Sequence, residues 1–176
     1  MQLIRPRLSI EKIRSILLNA GLIAAVFFGV LAFQSRNMLA ADGEIAPALR
    51  GTTLGGQPYD LEDGRSKPAL VYFFAPWCAI CGASSGNLNR LRRWRDAGEI
   101  EIVAVALDWR EADEVRDYVE RHDLNVTVVL GDANVARQWQ IQAFPSYYVL
   151  NSEHRVVRRD IGYSTQVGLW LRAWLI

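Results

Sequence analysis

Residues 69–75 read ALVYFFA, an apolar run of buried-strand length held between Pro68 and Pro76. A strand apolar on both faces needs cover on both sides, which is the situation of a central strand in an α/β sheet rather than of a half-exposed one. The chain then turns at once through Trp77-Cys78-Ala79-Ile80-Cys81 into residues 83–97, where Leu88, Leu91 and Trp94 stand at helical spacing. Strand, dithiol and helix therefore follow one another with no room for a long loop.

The rest of the chain repeats the alternation. Residues 100–107 (IEIVAVAL) form a second buried strand, and residues 111–122 a charged helix with Val115, Tyr118 and Val119 as its apolar stripe. A strand at 126–130, a short helix at 134–139, a turn at Phe144-Pro145 and strands at 147–150 and 155–161 about a 151–154 turn come next. Residues 167–176 close as a helix, with Val167, Trp170, Leu171, Trp174 and Leu175 expected on the sheet and Leu169, Ala173 and Ile176 as a second apolar stripe on another side, expected to close over neighbouring loops, with a membrane-surface or electron-donor contact as the alternative. Residues 46–64, rich in Gly, Pro and Thr, suggest an irregular lead-in and a small hairpin. The expected fold class is α/β: a central mixed, mostly parallel sheet with an antiparallel edge and helices on both faces.

Ahead of this domain, residues 16–33 (ILLNAGLIAAVFFGVLAF) carry no charge, at the length of about 18 residues needed to span a bilayer. Arg5, Arg7, Lys12 and Arg14 precede it against Glu11, and only Arg36 follows closely, so the N-terminus is expected in the cytoplasm and the domain outside. The division read from this is a basic cytoplasmic N-terminus at 1–15, a transmembrane signal-anchor at 16–33, a linker at 34–45 and the folded domain at 46–176. A cleaved signal peptide is the rival, although its best site, Leu39-Ala40-Ala41, places Leu where a small residue is wanted.

The charge balance excludes one class of partner. The chain has 20 basic and 19 acidic residues. Leaving out the five basic and one acidic residue of 1–41 gives 15 against 18, a formal charge of −3 for the remainder. Such a domain has no electrostatic claim on nucleic acid. Arg90, Arg92, Arg93 and Arg95 then read as a solvated helix face.

With only two cysteines, disulfide stapling cannot organise the fold. Cys78 should sit at a helix start, where unpaired backbone N–H groups favour a thiolate, and Cys81 one turn later can resolve a mixed disulfide. Structural zinc needs about four ligands, and His122 and His154 are too distant in sequence to complete a typical set. Haem attachment needs His after Cys81, where Gly82 stands. His122 at a helix C-terminus has a dipole explanation and His154 a turn position, and neither is assigned catalysis. Trp94, Trp109 and Trp139 read as core or boundary packing.

YFFAPWCAIC after a strand, with AFPSYYVL far downstream, resembles the thioredoxin superfamily. The lead-in IAPALRGTTLGGQPYDLEDGRSKPALVYFF is similar to the membrane-anchored TlpA-like branch, and the ending DIGYSTQVGLWLRAWL to its suppressor-of-copper-sensitivity D type. The likeness covers roughly residues 45–176. It implies a thioredoxin-like fold with Cys78 as attacking thiol and Cys81 as resolving thiol. The proline matching Pro145 would be cis, facing the dithiol, with Trp77, Phe144 and Pro145 shaping a groove for an extended substrate strand. It implies no organic cofactor and no metal beyond the redox-active Cys78–Cys81 disulfide. Exported disulfide or thiol proteins would be clients, a membrane thiol carrier the electron donor, and the bilayer a partner through the N-terminal helix. The expected location is the inner (cytoplasmic) membrane, single-pass, with the domain on the periplasmic or extracytoplasmic side. The alternative from another class is a thioredoxin-fold copper-binding chaperone, and a third a redox-dead scaffold.

Two positions depart from the family. Tyr72 stands where thioredoxins carry a buried Asp, and Ser84 where several TlpA-like reductases have Glu. Either Ser84, or Tyr72 with a water, is expected to stand in for the carboxylate that relays the resolving thiol's proton, unless exchange is slower or tuned differently.

Overall fold

The computed structural model describes residues 10–35, 38–64 and 66–174. The chain divides into two compact units, Met1–Gln34 and Ser35–Ile176. The first holds all but the last residue of α1 (Ile10–Ser35), one continuous helix of 26 residues. Among the described residues no helix is long and apolar enough to cross a membrane. Within the span read as 16–33, the side chains of residues 16, 24, 27, 28 and 31–33 lie outside the described ones.

In the second unit the order is β1 (Arg50–Thr53), β2 (Pro58–Asp60), a 3-10 turn (Leu61–Gly64), β3 (Ala69–Phe74), α2 (Ala79–Trp94), β4 (Glu101–Ala106), α3 (Ala112–Arg121), β5 (Thr127–Leu130), α4 (Ala133–Gln138), β6 (Ser146–Leu150), β7 (Val156–Ile161) and α5 (Gln166–Trp174). The seven strands form one sheet ordered β2-β1-β5-β4-β3-β6-β7. The parallel pairings are β3 with β4 and β4 with β5. The other four are antiparallel. The expectation of a mostly parallel sheet is thus corrected to a mixed sheet with a parallel centre. The β1–β2 hairpin adds to β5, and β6 returns directly beside β3, so antiparallel pairing comes in from both edges.

The run at 69–75 is the central strand, and its alternation builds two cores. Leu70, Tyr72 and Phe74 face one with Leu88 and Leu91 of α2, Val115 and Tyr118 of α3, and Leu169 of α5. Ala69, Val71 and Phe73 face the other with Val135, Trp139 and Met38. Every residue of β3 is buried, which explains why the sequence shows no polar alternation there. Full burial of a large apolar side chain contributes about 1.5–3 kcal/mol, so this strand is a principal source of stability.

Three local expectations change, at Met38, Trp94 and α5. Met38, inside the segment read as linker, is buried, and Arg159 Nη1 donates to the Met38 carbonyl at 2.8 Å, tying that segment to β7. Trp94 is 63% exposed, because it falls at the last residue of α2, beyond the part of the helix that covers the sheet. His154 keeps the turn position expected of it, between β6 and β7, and is buried there. In α5 Val167 and Leu171, expected on the sheet, are 65% and 44% exposed, while Leu169 of the second stripe is covered and 1% exposed. The side chains of Ala173 and Trp174, and residues 175–176, lie outside the described ones.

Candidate active site

The dithiol lies where β3 meets α2. Ala75, Pro76 and Trp77 make the turn, closed by Cys78 N–H donating to the Ala75 carbonyl at 3.0 Å. Cys78 is the N-cap of α2, extended at φ −81 and ψ 104, and its Sγ accepts from Cys81 N–H at 3.1 Å. A cap normally supplies a side-chain oxygen to the free amides of the first turn, and here the sulfur does so. The same contact that caps the helix would stabilise negative charge on that sulfur.

Cys78 and Cys81 are joined as a disulfide. They are not equivalent. Cys78 keeps 7% of its surface exposed and Cys81 none, so only the first offers an approach to an incoming sulfur.

Trp77 and Phe144 meet at the turn that carries the disulfide, and Pro145 directly precedes Ser146 of β6, which pairs with Phe73 of β3. Trp77 is 65% exposed and meets Phe144 edge-on, ring centres 5.9 Å apart. Its Nε1 donates to Asp108 Oδ2 at 3.0 Å, which fixes the indole from the β4 side. The Phe144–Pro145 bond is cis, as the resemblance implied, and the Pro145 carbonyl accepts from Gly162 N–H at 2.8 Å. Two clefts meet at Asp108. One is charged, lined by Trp77, Arg110, Glu114 and Arg121, and the other largely apolar, lined by Trp109, Ile141 and Phe144.

Behind Cys81 the structure places hydroxyl groups. Tyr72 is fully buried and its OH donates to the Cys81 carbonyl at 3.1 Å. Ser85 Oγ donates to the same carbonyl at 3.0 Å and pairs with Tyr118 OH at 2.8 Å. Ser84 Oγ donates instead to the Ile80 carbonyl of its own helix. The two substitutes read from sequence thus have different places: Tyr72 holds the backbone of Cys81, and Ser84 holds that of Ile80. Burial pushes the hydroxyls of Tyr72, Tyr118 and Tyr147 above their ordinary value, so all three are neutral at physiological pH.

Sequence reasoning missed Ser85, Tyr118, Asp108 and His122 as parts of the site. A Cβ built at Gly82 would stand 2.4 Å from His122 Cε1 and 2.7 Å from Nε2, so the imidazole lies on the residue next to Cys81. A glycine directly after the second cysteine was the available signal, since it permits close approach by another element.

The Redoxin family model matches residues 41–167. The chain is 31% identical over 121 residues to a thioredoxin-like protein of Haemophilus influenzae, covering 68% of this chain and 70% of that one. It is 29% identical over 159 residues to the thiol:disulfide interchange protein HelX of Rhodobacter capsulatus, covering 86% of each. A crystal structure of a thioredoxin-family thiol:disulfide interchange protein from Chlorobium tepidum superposes with a TM-score of 0.68 at 19% identity, over 78% of this chain and 98% of that one, and shows the shared fold. With its thioredoxin-like sheet and a Cys-x-x-Cys disulfide at the head of α2, the chain belongs to the Redoxin family, as a TlpA-like thiol-disulfide oxidoreductase of the thioredoxin superfamily.

Proposed function

We propose that the chain is a membrane-anchored reductase of exported disulfide proteins. The observation that carries the exchange chemistry of this reading is the asymmetry of the dithiol: Cys78 caps α2 and retains an accessible edge, while Cys81 is sealed behind it. In the reduced form the Cys78 thiolate attacks one sulfur of a client disulfide, and the other client sulfur leaves as a thiolate. Cys81, losing its proton, then attacks Cys78 Sγ and expels the first client sulfur. The client gains two electrons, and its two thiolates take up protons. The chain is left as the Cys78–Cys81 disulfide, which a membrane thiol carrier returns to the dithiol. No organic cofactor or metal takes part.

Trp77, Phe144 and Pro145 form the groove that receives the client as an extended strand. Supporting the anchor are the uncharged stretch at 16–33, the basic residues before it, and a similarity to HelX over more of the chain than residues 46–176 supply. The anchor places the domain on the outer side of the cytoplasmic membrane.

Alkylation at graded pH on the full chain tests the roles. Cys81→Ser leaves Cys78, whose alkylation is expected to stay fast below pH 7. Cys78→Ser leaves Cys81, at least about tenfold slower at neutral pH. A fast, low-pH reaction at Cys81 in Cys78→Ser overturns the assignment. Equilibration with glutathione gives the direction, and a potential well above that of the glutathione couple overturns the reductase reading.

A further inference from the structure

The backbone of Cys81 is held by Tyr72 and Ser85, and the tyrosines behind it do not ionise in the working range. Aromatic contacts lead outward from there: Tyr72 stacks with Phe74 at 5.8 Å, Phe74 with Tyr118 at 4.5 Å, and Tyr118 meets the His122 ring at 4.6 Å. His122 therefore ends a packed row that begins behind the dithiol, and its ring also lies on Gly82 in the first turn of α2.

We propose that His122 is a positioning residue that sets the pH dependence of the dithiol, its imidazole charge acting on the Cys78 thiolate across the first turn of α2. This rests on the oxidoreductase reading and adds a residue to it.

Imidazole and thiolate are linked through their charges. In the oxidised form the disulfide carries no charge, the head of α2 is electropositive, and Arg121 stands beside the ring on α3. Burial first, and then Arg121, hold the imidazole below its ordinary value. Gly82 from α2 and Tyr118 from α3, both uncharged, lie against it. Asp123, next along the chain, is exposed. Reduction places a thiolate at the head of the same helix. That negative charge favours the imidazolium, so the midpoint of His122 rises when the disulfide is opened. By reciprocity, protonated His122 lowers the Cys78 pKa by the same factor. A stabilised thiolate makes the couple more oxidising, so the chain is a weaker reductant on the acid side of the His122 midpoint.

The chain holds two histidines, so NMR titration of the imidazole signals of the full chain in detergent, with His122→Gln for assignment, reads His122 directly. Its midpoint is expected to be about half a pH unit higher in the dithiol form than in the disulfide form. The Cys78→Ser/Cys81→Ser variant is expected to show no change on adding the reductant. Identical midpoints in the two redox states overturn the proposal, as does a shift that persists without the cysteines. A second measurement compares Cys81→Ser with Cys81→Ser/His122→Gln. Near pH 5, Cys78 is expected to alkylate about threefold faster where the histidine is kept, the ratio that half a pH unit represents. Equal pH profiles with and without His122 also overturn it. Neither readout involves a client, so failure to reduce client disulfides would count against the oxidoreductase reading alone.

Discussion

Trp77 Nε1 donates to Asp108 Oδ2 at 3.0 Å, joining the turn that carries the dithiol to the loop after β4. Asp108 holds a left-handed backbone, φ 52, which Asn and Asp tolerate better than other side chains with a Cβ. The bond therefore depends on residue type twice, through the acceptor and through the backbone. Asp108→Ala is expected to free the indole, cost about 1 kcal/mol of stability and lower kcat/KM for protein clients several-fold. Asp108→Asn keeps an acceptor and the backbone preference, and should stay near the parent. Alkylation of Cys78 by a small reagent reports the thiolate separately and should be the same in both variants.

The buried tyrosines give the stability an alkaline limit. Tyr148 is pushed up to about 12, chiefly by burial, and burial raises Tyr59, Tyr72, Tyr118 and Tyr147 as well. Their folded-state values lie above the unfolded value near 10. Above that pH the unfolded chain releases protons that the folded one retains, so stability is fully present below about pH 10 and falls as pH rises toward the folded values. Each such group contributes a slope of up to about 1.4 kcal/mol per pH unit. Thermal melts between pH 8 and 11.5 should be flat at first and then drop steeply. Tyr148→Phe, which loses the bond to the Trp139 carbonyl at 2.8 Å, should start about 1 kcal/mol lower at neutral pH and fall less steeply.

Gly82 and His122 are coupled by space. Inside a helix, Gly→Ala normally gains about 1 kcal/mol. Here the added Cβ would meet the imidazole at 2.4 Å, so that gain should be cancelled or reversed. In a His122→Ala background the space opens and Gly82→Ala should stabilise. A double-mutant cycle by denaturant unfolding is expected to give a coupling of about 1–2 kcal/mol. Additivity within about 0.3 kcal/mol would mean that the ring moves aside at no cost.

What could be read from the sequence was what local pattern decides. The unbroken 69–75 run marked β3, the charged 111–122 segment with Val115 and Tyr118 marked α3, and the strand–helix junction marked where Cys78 would sit. The identity of the groups behind Cys81 was legible only halfway. Tyr72 and Ser84 could be named from their offsets to the cysteines, but Ser85 reaches Tyr118 and His122 reaches Gly82 across 33 and 40 positions of chain, which no local period encodes. Sheet direction failed for a similar reason. An alternation of strands and helices suggests parallel neighbours, yet the antiparallel pairing of β1 with β5 joins segments far apart in sequence.

The last helix shows the limit of periodicity most directly and supplies a stability test. Six of the nine residues of α5 are apolar, so two different stripes can be drawn on it, and the longer one includes the exposed Val167 and Leu171. Its orientation is set by tertiary packing: Leu169 is in the core with Leu88 and Leu91 of α2, and its N–H donates to the Thr165 carbonyl at 2.9 Å. Thr165 Oγ1 also accepts from Gly168 N–H at 3.1 Å, which fixes the first turn. Leu169→Ala should therefore cost about 2–5 kcal/mol, and Leu169→Glu more, because it buries a charge with no partner. Val167→Glu, on the exposed side, should change stability by no more than about 0.5 kcal/mol. Denaturant unfolding of the three variants ranks them. If Val167→Glu proves the most damaging, the helix packs through the other stripe, whereas the expected ranking places the contact between α5 and α2 at Leu169.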